Sequence, residues 1–167
     1  MDGNEKVYLS EYDSDWENQF LEEKQLLQTH FPDIPIEHIG STSIKGMTAK
    51  PIIDIILGVT SYPPSEDMTT TLEKLGYYGF GEADRINGRL YFIKRGVKNY
   101  NVHVIKHLDK LWNNNIFFRN YLIENEAEVL AYAEVKQNII NKGINSLYEY
   151  SDEKEDFISN IINKINT

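Results

Sequence analysis

One acid stands where an apolar strand should carry none. In PIIDIILGV, residues 51–59, Asp54 has isoleucines on both sides. An ionised carboxylate in such a setting costs on the order of several kcal/mol unless it is paired, hydrogen-bonded or bound to metal. Strand alternation puts Asp54 and Ile56 on one face and Ile53 and Ile55 on the other, so one face carries the acid. Two chemistries follow. The carboxylate holds a cation beside a reacting phosphate, or it makes a structural ion pair with Lys50, which precedes Pro51 at the strand's mouth, or with Arg89.

Upstream lies a turn suited to the first chemistry. In HIGSTS, residues 38–43, Gly40 has no Cβ to hold a ligand away, and Ser41 and Thr42 offer hydroxyls. Where a helix starts at such a turn, its unpaired N–H groups and dipole attract phosphate. The structural alternative is an ordinary capping turn. His103, in NYNVHVIKH, alternates with Asn101 and Ile105 on one strand face and meets Asp54 if the two strands are neighbours. As a metal ligand, imidazole suits Mn²⁺ or Zn²⁺ better than Mg²⁺; as a donor to Asp54, it closes a core pair. Glu37 and His38, just before the glycine, are further candidate ligands, and His38 reads equally well as a packing residue.

Charge points the same way. The chain has a net charge of -9, which argues against general nucleic-acid or anionic-membrane binding. Yet residues 85–110 hold Arg85, Arg89, Lys94, Arg95, Lys98, Lys106 and Lys110 against Asp109 alone. This segment is either a solvated strand face or the rim of an anion site, with Lys50, Arg89 and Lys94 as candidate phosphate contacts.

The elements that must position these residues are legible in the hydrophobic pattern. Asp13, Ser14 or Asp15 caps a helix in which Trp16, Phe20, Leu27 and Phe31, with Leu21 and Leu26, recur at helical spacing, and Pro32 and Pro35 end it. PIEHIG is a short strand, and PIIDIILGV is too continuously apolar for a strand with one wet face. PPSEDMTTTLEKLG is a helix with proline at its start and glycine at its end, followed by strands in YYGFG, RLYFIKRG and NYNVHVIKH. From Leu108 onward the pattern is helical, two helices and then an amphipathic last one lined by Phe157, Ile158, Ile161 and Ile162. Strands mixed with helices, and helices gathered at the C-terminus, predict an α+β domain spanning residues 1–167 with a mixed sheet flanked by helices.

Composition closes off other classes. With 41% hydrophobic and 26% charged residues, 11 Tyr, 7 Phe and 2 Trp, the chain has the makings of a globular core. The absence of cysteine excludes disulfides, thiolate zinc sites and thiol nucleophiles. No apolar run approaches the roughly 20 residues of a membrane span, and the polar N-terminus lacks a signal-peptide core, so the expected location is the cytoplasm.

Read in order, EYDSDW, HIGSTSIKGMTAKPIIDI, VHV, FRNYL, YAEVK and YSDEKEDFI resemble the GrpB family along nearly the whole chain. That family is itself assigned to the nucleotidyltransferases of the DNA polymerase beta type. The resemblance implies a nucleotidyltransferase-like core, a nucleoside triphosphate on Gly40, Ser41 and Thr42, and Mg²⁺ or Mn²⁺ on Asp54, for which His103 is a substitute second ligand read from its strand position. It implies an acceptor, whose nature it leaves open. Arg119 in FFRNYL matches the family's Phe-Arg-Asp-Tyr-Leu run and joins the candidate ligand contacts. The chain departs from the pattern at three places. Asn120 replaces the aspartate of that run, Lys45 stands where proline usually precedes Gly46, and Ile56 occupies the position of a second acid two residues after the first. The last change removes a bridging ligand from two-metal transfer. A binding domain that lost turnover, or a single-metal phosphotransfer or hydrolytic enzyme, are the alternatives.

Overall fold

The computed structural model describes residues 5–79 and 87–164. Helix α1 (Asp15–His30) starts where Asp13 Oδ1 accepts the Asp15 N–H at 2.9 Å. Trp16, Phe20, Leu27 and Phe31 are buried, whereas Leu21 and Leu26 are exposed. The inward stripe instead takes Glu23, midway between Phe20 and Leu27. Strand β1 (Ile36–Ile39) leads into one turn of 3-10 helix (Ser41–Ser43), and β2 (Ile53–Val59) follows. The helix expected at the glycine turn is therefore only three residues long, too short to build a helix dipole.

Helix α2 (Glu66–Lys74) is capped by Ser65, whose hydroxyl accepts the Met68 N–H. Of the strand expected in YYGFG, β3 covers Tyr78–Gly79; Phe80 and Gly81 lie outside the described residues, as does Arg85. Strands β4 (Arg89–Lys94) and β5 (Tyr100–Lys106) precede helices α3 (Lys110–Glu124), α4 (Glu126–Asn141) and α5 (Leu147–Asn163).

The sheet runs β1-β2-β5-β4-β3. The pair β2 and β5 is parallel and the others are antiparallel, so the sheet is mixed and the class is α+β. One face is closed by α1 and α2, with Trp16, Phe20, Leu27, Met68 and Leu72 packed on Ile53, Ile55, Leu57, Val102 and Val104. On the other face α3 packs Trp112 and Ile116 on Ile39, Ile56 and Ile105. Gly58 makes this packing possible, because a Cβ there would stand 2.7 Å from the Trp112 ring. With helices on both sides, β2 reads as a continuous apolar run.

The register sets the functional rows. Across the α3 face, one row is Ile39, Asp54, Asn101 and Ile93, and the next is Glu37, Ile56, His103 and Tyr91. The three C-terminal helices pack together and onto Ile44 and Met47, just after the glycine turn. Val7 N–H donates to the carbonyl of Asn145, and Ser10 bridges to Ala49, so the N-terminal segment ties the last helix to the approach to β2.

Candidate functional site

Asp54 lies at the start of β2, where the α3 cover gives way, and its side chain keeps 20% of its surface exposed. Oδ1 accepts the Asn101 amide at 2.7 Å, and His103 Nε2 is 3.7 Å from the same oxygen. Asn101 is held from behind: its Oδ1 accepts Arg95 Nη2 at 3.0 Å, and Arg95 forks onto Glu5 at 2.9 and 3.0 Å. Oδ2 turns toward the glycine turn. Gly40 has φ 70°, and a Cβ there would sit 2.6 Å from Asp54 Oδ2. Glycine is thus required twice, by the backbone and by the carboxylate it touches.

Electrostatics favour an ionised Asp54. Burial alone would raise its pKa, but the His103 imidazole, the Lys50 charge and the Asn101 amide together hold it below the usual carboxylate range. Burial lowers the His103 pKa, opposed by Asp54, and its ring stacks on Tyr91 at 4.9 Å. Arg89 lies over the Tyr91 ring at 5.6 Å, on the same face as His103.

Other expected residues have different roles. Thr42 is buried, and its hydroxyl bonds His38 Nε2 at 2.9 Å and the Ile52 carbonyl at 3.5 Å. It braces the turn from inside, leaving Ser41 as the partly exposed hydroxyl beside Gly40. His38 stacks on Phe20 at 4.7 Å on the α1 side, and burial pulls its pKa down to about 4, so it is a neutral packing residue. Arg119 Nη1 donates to Glu37 Oε2 at 2.8 Å and to the His38 carbonyl at 2.9 Å. These bonds engage both Arg119 and Glu37 in fixing α3 to β1.

The basic segment disperses rather than converging. Lys94 sits on the α1 side with Glu23, Lys98 pairs with Glu22, and Arg95 stands behind Asn101. Lys106 is exposed at the far end of β5. Among the described residues of this segment, Arg89 lies on the His103 face, over the Tyr91 ring.

Sequence reasoning missed two lysines of the C-terminal helices, one of which reaches the glycine turn. Lys136 on α4 is buried and donates to Ser41 Oγ at 3.1 Å and to the Thr48 carbonyl. Lys154 on α5 is partly buried, 4.4 Å from the Tyr150 ring centroid. Burial, and then the charges of Lys154 and Lys50, pull Lys136 down to about 7; burial and Lys50 do the same to Lys154. Lys50 is lowered by burial against the pull of Asp54. The signal was present: Tyr132, Lys136 and Ile139 share a buried helical stripe, so a cation stands among apolar neighbours as Asp54 does on its strand.

The donor set fits one ion, not two. Asp54 and His103 offer a carboxylate oxygen and an imidazole nitrogen 3.7 Å apart, a spacing at which both can ligate one ion. Among the described residues no three His, Asp or Glu side chains converge. The second acid position is filled by Ile56, fully buried beneath Trp112. A mixed oxygen and nitrogen pair suits Mn²⁺ better than Mg²⁺.

The family model described as GrpB protein matches residues 6–164. Glutamate-rich protein GrpB of Alkalihalophilus pseudofirmus is 34% identical over 96% of this chain and 96% of its own length. UPF0157 protein YqkA of Bacillus subtilis is 35% identical over 92% of this chain but only 45% of its own. Among solved structures, the conserved protein GrpB from Enterococcus faecalis superposes with a TM-score of 0.82 at 32% identity, covering 94% of this chain and 96% of that one.

Proposed function

The chain belongs to the GrpB family, and from that footing we propose that it binds a nucleoside triphosphate at the mouth of β2 and transfers the nucleotidyl group with the help of one divalent ion. The observation that carries this reading is the contact of Gly40 with Asp54, which puts a side-chain-free turn, an ionised carboxylate and His103 at one partly open end of the sheet. The absent Cβ of Gly40 lets the turn lie against Asp54 Oδ2, and Ser41 supplies a hydroxyl for phosphate. Lys50 and Arg89 neutralise phosphate charge from either side. Asp54 and His103 would hold Mn²⁺ or Mg²⁺, which supplies charge stabilisation at the phosphate and orientation of an attacking oxygen. In the transfer itself, an acceptor hydroxyl bonds to the α-phosphorus as the bond to pyrophosphate breaks, and the hydroxyl proton passes to solvent or base.

A second reading is favoured by Ile56. An apolar residue sealed where the superfamily resemblance expects an acid supports a domain that binds nucleotide without turning it over. The test is pyrophosphate release from each nucleoside triphosphate with Mn²⁺ or Mg²⁺ and a panel of hydroxyl acceptors. Release that Asp54→Asn abolishes supports transfer. Binding without release supports the second reading, and neither binding nor release overturns both.

A further inference from the structure

Behind Asp54 lies a chain of hydrogen bonds that leaves the carboxylate one arrangement. Asn101 is buried at 2% exposure, on the strand beside β2 and directly opposite Asp54 in register. Arg95, in the turn between β4 and β5, uses every N–H of its guanidinium. Nε and Nη2 fork onto Glu5 at 2.9 and 3.0 Å, Nη1 donates to the carbonyls of Tyr100 and Lys94 at 2.8 and 3.3 Å, and Nη2 also donates to Asn101 Oδ1 at 3.0 Å. A guanidinium can only donate, so the Asn101 atom facing it is the carbonyl oxygen, and Nδ2 is left for Asp54. Asp54 Oδ1 accepts it at 2.7 Å. Glu5 is anchored in turn, because its backbone carbonyl accepts the Leu147 N–H at 3.1 Å at the start of α5.

We infer that Asn101 is a positioning residue: held in one amide orientation by Arg95, it ties Asp54 Oδ1, leaves Oδ2 against the Gly40 turn, and offers no oxygen of its own to an ion. The inference rests on the reading above in taking Asp54 as the carboxylate that meets the ion. His103 Nε2 lies 3.7 Å from the tied oxygen and Gly40 lies against the other, so the two oxygens have different neighbours. A carboxylate free to rotate would exchange those neighbours and lose the arrangement that two ligands of one ion require. Hydrogen bonds behind a ligating carboxylate fix its direction in this way. The relay runs from the N-terminal segment through Glu5, Arg95 and Asn101, so residues that do not touch the turn set the geometry of Asp54.

The experiment titrates Mn²⁺ alone into wild type and variants, reading free ion by electron paramagnetic resonance, and follows the Asn101 side-chain amide of the metal-free protein by NMR. Asn101→Ala should weaken Mn²⁺ binding about tenfold or more. Arg95→Lys keeps a cation for Glu5 but not the fork, and it should lose about threefold in wild type and nothing further in Asn101→Ala, a coupling that loss of stability alone would not give. It also keeps the test valid if Asn101→Ala folds poorly. The Asn101 amide proton donated to Asp54 should exchange slowly with water, and Asp54→Ala or Arg95→Lys should speed that exchange. Unchanged Mn²⁺ affinity in either folded variant, or undiminished losses when the two are combined, would overturn the inference. If wild type binds no Mn²⁺, the ion of the reading above falls and the amide alone decides. Exchange that neither Asp54→Ala nor Arg95→Lys alters would then overturn the relay, and faster exchange in both would sustain it.

Discussion

Two polar clusters lie on opposite faces of the same sheet, and they are built to different rules. Under α1, Glu23 Oε1 accepts both the Tyr77 hydroxyl and the Lys94 ammonium at 2.7 Å, and Lys94 sits over the rings of Tyr77 and Tyr100 at 5.1 and 5.5 Å. One carboxylate meets one cation. At the mouth of β2, the charge of Asp54 acts on Lys50 and Lys154, neither of which has a hydrogen bond or ion pair among the described residues. A matched buried pair holds the fold together, whereas Lys50 and Lys154 carry charge that no carboxylate contact offsets among the described residues.

The largest effect should come from breaking the matched cluster. Glu23→Gln leaves Lys94 without its counter-charge, and urea denaturation should register a loss of about 3 kcal/mol, the low end for a broken buried pair because Lys94 keeps some solvent contact. Lys154→Gln, which removes part of an uncompensated surplus, should change unliganded stability little or raise it. Equal losses in the two variants would erase the distinction between the clusters.

Next in size is Gly40→Ala. The left-handed backbone costs a non-glycine residue about 1–2 kcal/mol, and the new methyl displaces Asp54 Oδ2. Denaturation should show a loss of about 2 kcal/mol, and triphosphate binding should fail even in protein that remains folded. Normal binding in this variant would mean that Oδ2 need not stay where Gly40 allows it.

The smallest effect sharpens the comparison through pH. Lys136 and Lys154 titrate near pH 7 when folded, below their unfolded value of 10.5. Between those values the unfolded chain binds more protons, so their contribution to stability rises as pH rises from about 7 toward 10. Asp54 works over a separate range: its folded pKa is depressed below 3.8, so its contribution is present above that value and is lost as pH falls through the folded one. Unfolding of wild type and Lys154→Gln across pH 6 to 10 should show a shallower upward slope in the variant. Parallel slopes would place Lys154 outside the cluster.

Much of the fold was legible because burial imposes periodicity. β2 is apolar on both faces because helices cover both, and Trp16, Phe20 and Leu27 recur as α1 turns inward. Leu21 and Leu26 misled because a buried Glu23 took the intervening inward position, and its partners, Tyr77 and Lys94, are far away in sequence. In the site, Asp54, Gly40 and His103 were readable from residue type and strand alternation. Thr42, His38 and Arg119 were harder, since a hydroxyl, an imidazole or a guanidinium serves ligand or scaffold alike until its neighbours are known. The basic run was misleading in a simple way: alternate residues of a strand face opposite sides, so Lys94 and Arg89 cannot both rim one cleft. Lys136 escaped notice because the reach of a helix to a turn some ninety residues upstream is a tertiary fact with no local spacing.

The central claim, a nucleotide held at the turn through Asp54, is tested most directly by thermal unfolding of wild type and Asp54→Asn with nucleoside triphosphate, with and without Mn²⁺. Ligand at about 100 times its dissociation constant stabilises by roughly 2.7 kcal/mol, which for a domain of this size raises the melting temperature by about 5 to 11 °C. The account predicts that rise in wild type with Mn²⁺, a smaller one without it, and none of the metal-dependent part in a folded Asp54→Asn. No rise with any nucleoside triphosphate, or an equal rise in Asp54→Asn, would contradict it.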